Sequence, residues 1–146
     1  MITTIPFKIL DIQGEGFHLL LKIHINKKVA NLLIDTGASK TVLDSNRIQK
    51  FVNHTNFEAN DKLSTGLGTN TMQSHFTTID KIKIGAIEIK KYTAVLLDLS
   101  HVNNSYTQIG LPAIEGVLGS DILMEYKAVI DYEKRLLKLK YPKPKK

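Results

Sequence analysis

Twice in this chain an alternating β-hairpin leads into an aliphatic strand that stops at an aspartate. In the first copy, Leu21, Ile23 and Ile25 alternate with Lys22 and His24, and Asn26-Lys27-Lys28 forms a turn. Val29 to Ile34 then resumes as a strand that delivers Asp35. In the second, Ile82-Lys83-Ile84-Gly85-Ala86-Ile87-Glu88-Ile89 alternates around a glycine turn and runs on through Lys90-Lys91 to Leu96-Leu97-Asp98. Period-two patterning of this kind can serve only a half-buried sheet, and its recurrence predicts an internal duplication of one β unit. The copies differ after the aspartate. Thr36-Gly37 follows Asp35, whereas Leu99-Ser100 follows Asp98. The glycine suits a tight turn that presents one carboxylate, and the Thr36 hydroxyl can hold that loop by hydrogen bonds. The second copy lacks the glycine, so a matching carboxylate is not expected from it.

Helices are few in this reading. Asp44 is a candidate N-cap for a helix over 44–52, with Ile48, Phe51 and Val52 at helical spacing. A second short helix is expected over 120–126, starting after Gly119 and capped by Ser120 or Asp121. The chain closes with a further hairpin, 128–132 and 136–139, around Glu133-Lys134-Arg135. Residues 99–114, with Asn103-Asn104 and Gly110-Leu111-Pro112, read as a long loop of functional or interface character.

At 146 residues the chain suits one domain over 1–140, followed by a basic, solvated tail at 141–146. Five of the lysines fall in the last nine residues, and without that segment the formal charge drops from +6 to +1. A nearly neutral body with no second basic stripe argues against nucleic acid as a partner. There is no cysteine, which excludes disulfides and thiolate chemistry. No apolar run approaches membrane-spanning length, and the first residues lack a signal-peptide pattern, so no membrane association is expected and the cytoplasm is the default location. His18, His24, His54, His75 and His101 show no metal-ligand spacing, and no metal or other cofactor is expected.

Three stretches carry the candidate chemistry: Asp35-Thr36-Gly37-Ala38-Ser39, the glycine-bearing 64–70 with Gly66-Leu67-Gly68, and Val117-Leu118-Gly119-Ser120-Asp121-Ile122-Leu123. An Asp-Thr-Gly alone is weak, because Asp and Gly both favour turns. Preceded by Leu32-Leu33-Ile34 and followed by Ala38-Ser39 and Thr41-Val42-Leu43, it resembles the active-site signature of retropepsin-like aspartic peptidases. The third stretch resembles that family's second motif, an apolar pair and a glycine before a short helix, and the similarity spans roughly residues 18–140.

The resemblance implies an all-β, closed barrel-like subunit with one or two short helices. It also implies a hydrolase acting on polypeptides, an aspartic endopeptidase whose site forms on the two-fold of a homodimer. Asp35 of each subunit would be the catalytic carboxylate, Thr36, Gly37 and Ala38 would support its loop, and Gly66, Leu67 and Gly68 would form the tip of a flap over the substrate. Ser39 stands where viral members carry an aspartate that grips substrate backbone. Ser120-Asp121 replaces an arginine-containing pair, closer to cellular and bacterial relatives. A chain with one Asp-Thr-Gly holds half a site. The alternative reading is a catalytically inactive, retropepsin-fold peptide-binding or scaffold protein, since a groove can bind an extended peptide without cutting it. Asp121, Asp98 and Asp131 read as structural, capping or turn residues.

Overall fold

A computed structural model describes residues 1–52, 58–60 and 74–143. The first expected hairpin is formed by β2 (Phe17–Ile25) and β3 (Lys28–Ile34), with Asn26 and Lys27 at positive φ in the two-residue turn. The second is formed by β6 (Ser74–Ile84) and β7 (Ile87–Leu97), with Gly85 at φ 59°. There glycine is demanded twice over: besides the positive φ, a Cβ would stand 2.5 Å from Thr3 Oγ1. The inward-facing positions of β6 change parity, from Thr77 and Ile79 to Ile82 and Ile84, and β7 changes from Ala94 and Leu96 to Ile87 and Ile89. The switch falls at Asp80 and Lys91, which are joined by a 2.9 Å ion pair, with Lys91 in the left-handed region.

The duplication is visible in the topology. After each hairpin a short strand crosses to the other unit: β4 (Val42–Asp44) lies parallel to β7, and β8 (Gly116–Leu118) lies parallel to β3. β4 and β8 meet antiparallel between them, giving the symmetric order β7-β4-β8-β3. An antiparallel contact of His24 with Lys83 and Ile25 with Ile82 joins β2 to β6 and closes a six-stranded barrel. The remaining strands extend the sheet. β1 (Ile2–Asp11) pairs first with β10 (Leu136–Lys140) and then with β2, changing partner at Pro6, and β9 (Val129–Asp131) flanks β10. β5 (Glu58–Asn60) pairs with β6. At the chain ends Met1 and Tyr141 exchange two hydrogen bonds, 2.7 and 2.9 Å, so the chain is held to the sheet as far as Tyr141. Residues 144–146 of the expected tail lie outside the described residues.

The mostly β fold with a closed barrel and two helices agrees with the expected fold class, while three local expectations are corrected. Residues 99–114 are not simply a loop, because α1 (Ser100–Gln108) occupies their first half. Its sequence has no apolar period that would announce it, and Tyr106 is its one buried side chain. The 44–52 segment contributes only a 3₁₀ turn, Ile48–Lys50, and Asp44 does not cap it. The second helix, α2 (Ser120–Glu125), forms where expected, but neither Ser120 nor Asp121 caps it.

The core is in two parts. Leu21, Ile23, Ile25, Leu32, Ile79 and Ile82 fill the barrel, while Leu20, Leu33, Val42, Leu97, Tyr106 and Val117 pack on its outside against α1. β2 and β3 therefore bury both faces in places, which explains the unbroken runs Leu19-Leu20-Leu21 and Leu32-Leu33. Close approach at the β4–β8 crossing requires Gly116, where a Cβ would stand 2.2 Å from the Val42 carbonyl oxygen. Gly116→Ala is expected to cost about 3 kcal/mol, since the neighbour is backbone and cannot swing aside. A urea titration with an unchanged midpoint would show that β4 and β8 do not pack this closely.

Candidate active site

Asp35 follows the last residue of β3, and its N–H donates to the Leu118 carbonyl of β8 at 3.0 Å. Its Oδ1 accepts the Gly37 N–H at 3.0 Å, and its carbonyl accepts the Ala38 N–H at 3.2 Å. These bonds wind residues 35–38 into a turn that leaves the carboxylate half-exposed. Gly37 does not adopt a positive φ, and among the described residues a Cβ there would meet nothing closer than Asp35 Oδ1 at 3.4 Å. The described part of the subunit therefore does not demand glycine at this position. The Thr36 side chain is exposed and makes no hydrogen bond among the described residues, so it does not brace the loop within the subunit. Ala38 is buried, and its carbonyl accepts the Ser120 N–H at 2.7 Å, tying the loop to the start of α2. Gly66, Leu67 and Gly68 lie outside the described residues.

The loop is held from beneath by residues that sequence reasoning assigned elsewhere or passed over. Asp121 Oδ1 accepts both the N–H and the hydroxyl of Thr41, at 2.9 and 2.8 Å. Its Oδ2 accepts the Tyr92 hydroxyl of β7 in a short hydrogen bond. The Thr41 hydroxyl oxygen in turn accepts the Gly119 N–H at 2.9 Å. A Cβ on Gly119 would lie 2.5 Å from the Lys40 carbonyl, so this glycine permits α2 to start directly under the loop. Burial, followed by the hydrogen bond to Asp121 and its charge, pushes the Tyr92 hydroxyl well above the ordinary tyrosine value. The only hint in sequence was the hydroxyl of Thr41 between two motifs, which did not reveal its partner.

Beside Asp35 opens a cavity of about 470 Å³, walled by Leu33, Leu99, Val102, Ile114 and Val117 and edged by Phe17. Asp98, from the second copy of the β unit, lies on the same wall. The sequence reading did not expect this. Its carboxylate is engaged differently from that of Asp35: Oδ1 accepts the Ser100 N–H at 2.9 Å and the Asn46 side-chain amide at 2.6 Å. The bonds from Ser100 first, then that from Asn46, hold its pKa below the usual aspartate value. His18 and His101 also line the cavity. The His18 ring stacks on Tyr106 at 5.8 Å and shares a short hydrogen bond between Nδ1 and the tyrosine hydroxyl, while burial pushes Tyr106 up to about 12.

Asp44, the expected helix cap, is 1 % exposed and ties α1 to the barrel instead. Its oxygens accept from Asn46, from the Leu99 N–H at 3.2 Å and from the Asn103 amide at 3.1 Å. Glu115, also buried, accepts from the Asn31 N–H and pairs with Arg47 at 2.9 Å, which fixes the segment entering β8. Among the described residues no group of three or more histidine or carboxylate side chains could hold a metal ion, and no helix is long and apolar enough to cross a membrane.

Residues 21–122 match the aspartyl protease family, and the chain belongs to it. Its fold is that of retropepsin-like proteases, as its structural neighbours show. The chain is similar to a retropepsin-like aspartic protease from Rickettsia conorii, with a TM-score of 0.61 at 20% identity over 97% of this chain and 91% of the other. It is also similar to the EIAV protease complexed with the inhibitor HBY-793, with a TM-score of 0.54 at 22% identity over 80% of this chain and 93% of that one. The retroviral protease-like domain of Ddi1 from Leishmania major gives 0.56 at 13% identity over 84% and 87%. A search of curated proteins finds no match.

Proposed function

We propose that the protein is a homodimeric aspartic endopeptidase in which Asp35 of two subunits forms one catalytic pair. The observation that carries this reading is the placement of Asp35. It sits half-exposed on a turn bonded on two sides, next to an apolar cavity of side-chain size, in the chain's single Asp-Thr-Gly. Preorganisation of that kind is what a general base requires.

Two carboxylates brought together at a two-fold cannot both ionise, so the pair keeps one proton. The ionised Asp35 takes a proton from water as that water attacks the scissile carbonyl. The protonated partner donates to the carbonyl oxygen, and a proton then passes to the leaving nitrogen. Thr36, exposed and without a hydrogen bond among the described residues, is placed to brace the paired loops across the two-fold. The apolar wall takes a substrate side chain, with the Asp98 anion at its rim.

The pairing makes activity a function of protein concentration. Specific activity on a peptide library is expected to fall on dilution in step with the loss of dimer mass measured by sedimentation. Constant specific activity down to concentrations at which the protein is monomeric would rule out a shared site.

A further inference from the structure

We infer that the lysine-lined face of β2, β6 and β7 binds the phosphodiester backbone of single-stranded nucleic acid, without reading its bases. Sequence position scatters these lysines between residues 22 and 91, and only the closing of the barrel collects them. A cavity of about 670 Å³ between β1, β2 and the β6–β7 hairpin is lined by Lys22, Lys27, Lys81 and Lys83, with Glu88 as its one carboxylate. A second cavity, of about 750 Å³, shares Lys27 and Lys81 and adds Lys28, Lys90 and Lys91, with Asp80 as its one carboxylate. Adjoining at Lys27 and Lys81, the two make up a trough with seven lysines against two acids among the described residues.

Part of this arrangement serves the fold, since Lys28 Nζ donates to the Lys50 carbonyl at 2.7 Å and Lys81 and Lys91 pair with carboxylates, but part of it works against the fold. Lys81 stands directly opposite Lys90 on neighbouring strands, and like charges so placed are destabilising. Lys27 and Lys91 occupy left-handed backbone, where Asn or Gly would be less strained. Glu88 lies 3.7 Å from Lys81 and Asp80 2.9 Å from Lys91, which leaves five of the lysines without an ion pair among the described residues, Lys83 standing opposite Glu88 in the β6–β7 register. Positive charge gathered in spite of these costs points to an anionic ligand.

Strand pairing and lining narrow its class. An acidic peptide could not be added here as a further strand of β2, because β3 pairs with one of its edges and β1 and then β6 with the other. Among the described residues His24 is the one exposed ring that lines either cavity, Phe51 being buried, so bases find little stacking platform and backbone charge dominates. β3 runs from Lys28 at the trough to Ile34 beside Asp35, about 20 Å at strand rise, so the trough is separate from the candidate active site.

The test is fluorescence anisotropy with labelled single-stranded RNA and DNA oligonucleotides across a salt series. Binding is expected to weaken linearly in log–log form. The triple substitution Lys22→Ser, Lys81→Ser, Lys83→Ser is expected to lower affinity at least tenfold at low salt and to reduce the slope by about 2. Asp35→Asn is expected to bind as the wild type does. As a readout independent of folding, lysine acylation of the wild-type protein should show Lys22, Lys81 and Lys83 protected by the oligonucleotide. Absence of binding overturns the inference. So does protection confined to Lys143, Lys145 and Lys146, or equally effective competition by poly-glutamate or phosphatidylserine vesicles at matched charge.

Discussion

Asp35→Asn is expected to reduce peptide cleavage by about 10³-fold or more while leaving the thermal midpoint unchanged. The substitution preserves shape, and the amide oxygen can still accept the Gly37 N–H that closes the turn at 3.0 Å. It removes the ability to carry charge or exchange a proton, which is what a paired carboxylate supplies. Digestion of a peptide library by both proteins at several pH values, beside a melting curve, separates loss of chemistry from loss of fold. Undiminished cleavage by the variant would end the assignment of Asp35. Wild-type protein that binds but never cuts the peptides, under all conditions at which it is dimeric, would favour the peptide-binding reading.

Asp121→Ala is expected to have the second largest effect, about 3 kcal/mol of stability, or roughly 10 °C in midpoint. One carboxylate accepts three hydrogen bonds, two from Thr41 and one from Tyr92. Its removal leaves the donors beneath the Asp35 loop without a partner. Asp121→Asn retains an acceptor and is expected to recover most of the loss, which distinguishes hydrogen bonding from charge. Tyr92 provides a direct readout. With the Asp121 hydrogen bond and charge gone, its absorbance titration should move back toward the ordinary value, leaving only the part due to burial. The raised value also sets the sign of the alkaline response. The stability Tyr92 contributes is complete below the unfolded value of 10.0 and is lost as the pH rises beyond it. A wild-type protein whose Tyr92 titrates at the ordinary value would contradict the Asp121–Tyr92 contact.

Much of the barrel was legible because its signals are local. Alternation over Leu21–Ile25 and Ile82–Ile89, with turn residues between strands, specifies hairpins through neighbours a few positions apart. The repeated unit became the symmetric β7-β4-β8-β3 arrangement for the same reason: two similar hairpins present similar edges. β1 escaped notice because Pro6 interrupts it, and a proline speaks against a central strand unless the strand changes partner there. α1 escaped because Ser100-His101-Val102-Asn103-Asn104 carries no apolar stripe, and the helix is held by Asp44 and Tyr106 rather than by an amphipathic face.

The candidate site divides in the same way. Its position at Asp35 followed from an aliphatic strand running into Asp-Thr-Gly. Its support did not, because Thr41 and Asp121 are 80 residues apart and Asp44 and Asn103 are 59 apart. By itself, the sequence determined the hairpins, the strand that ends at Asp35 and the short helix after Gly119, since each depends on backbone preference and residue period within one segment. Only the tertiary structure decided that Asp121 holds the Asp35 loop, that Asp98 shares its cavity, and that scattered lysines line two adjoining cavities. Those outcomes depend on which strands meet when β2 closes on β6, and no local preference encodes that meeting.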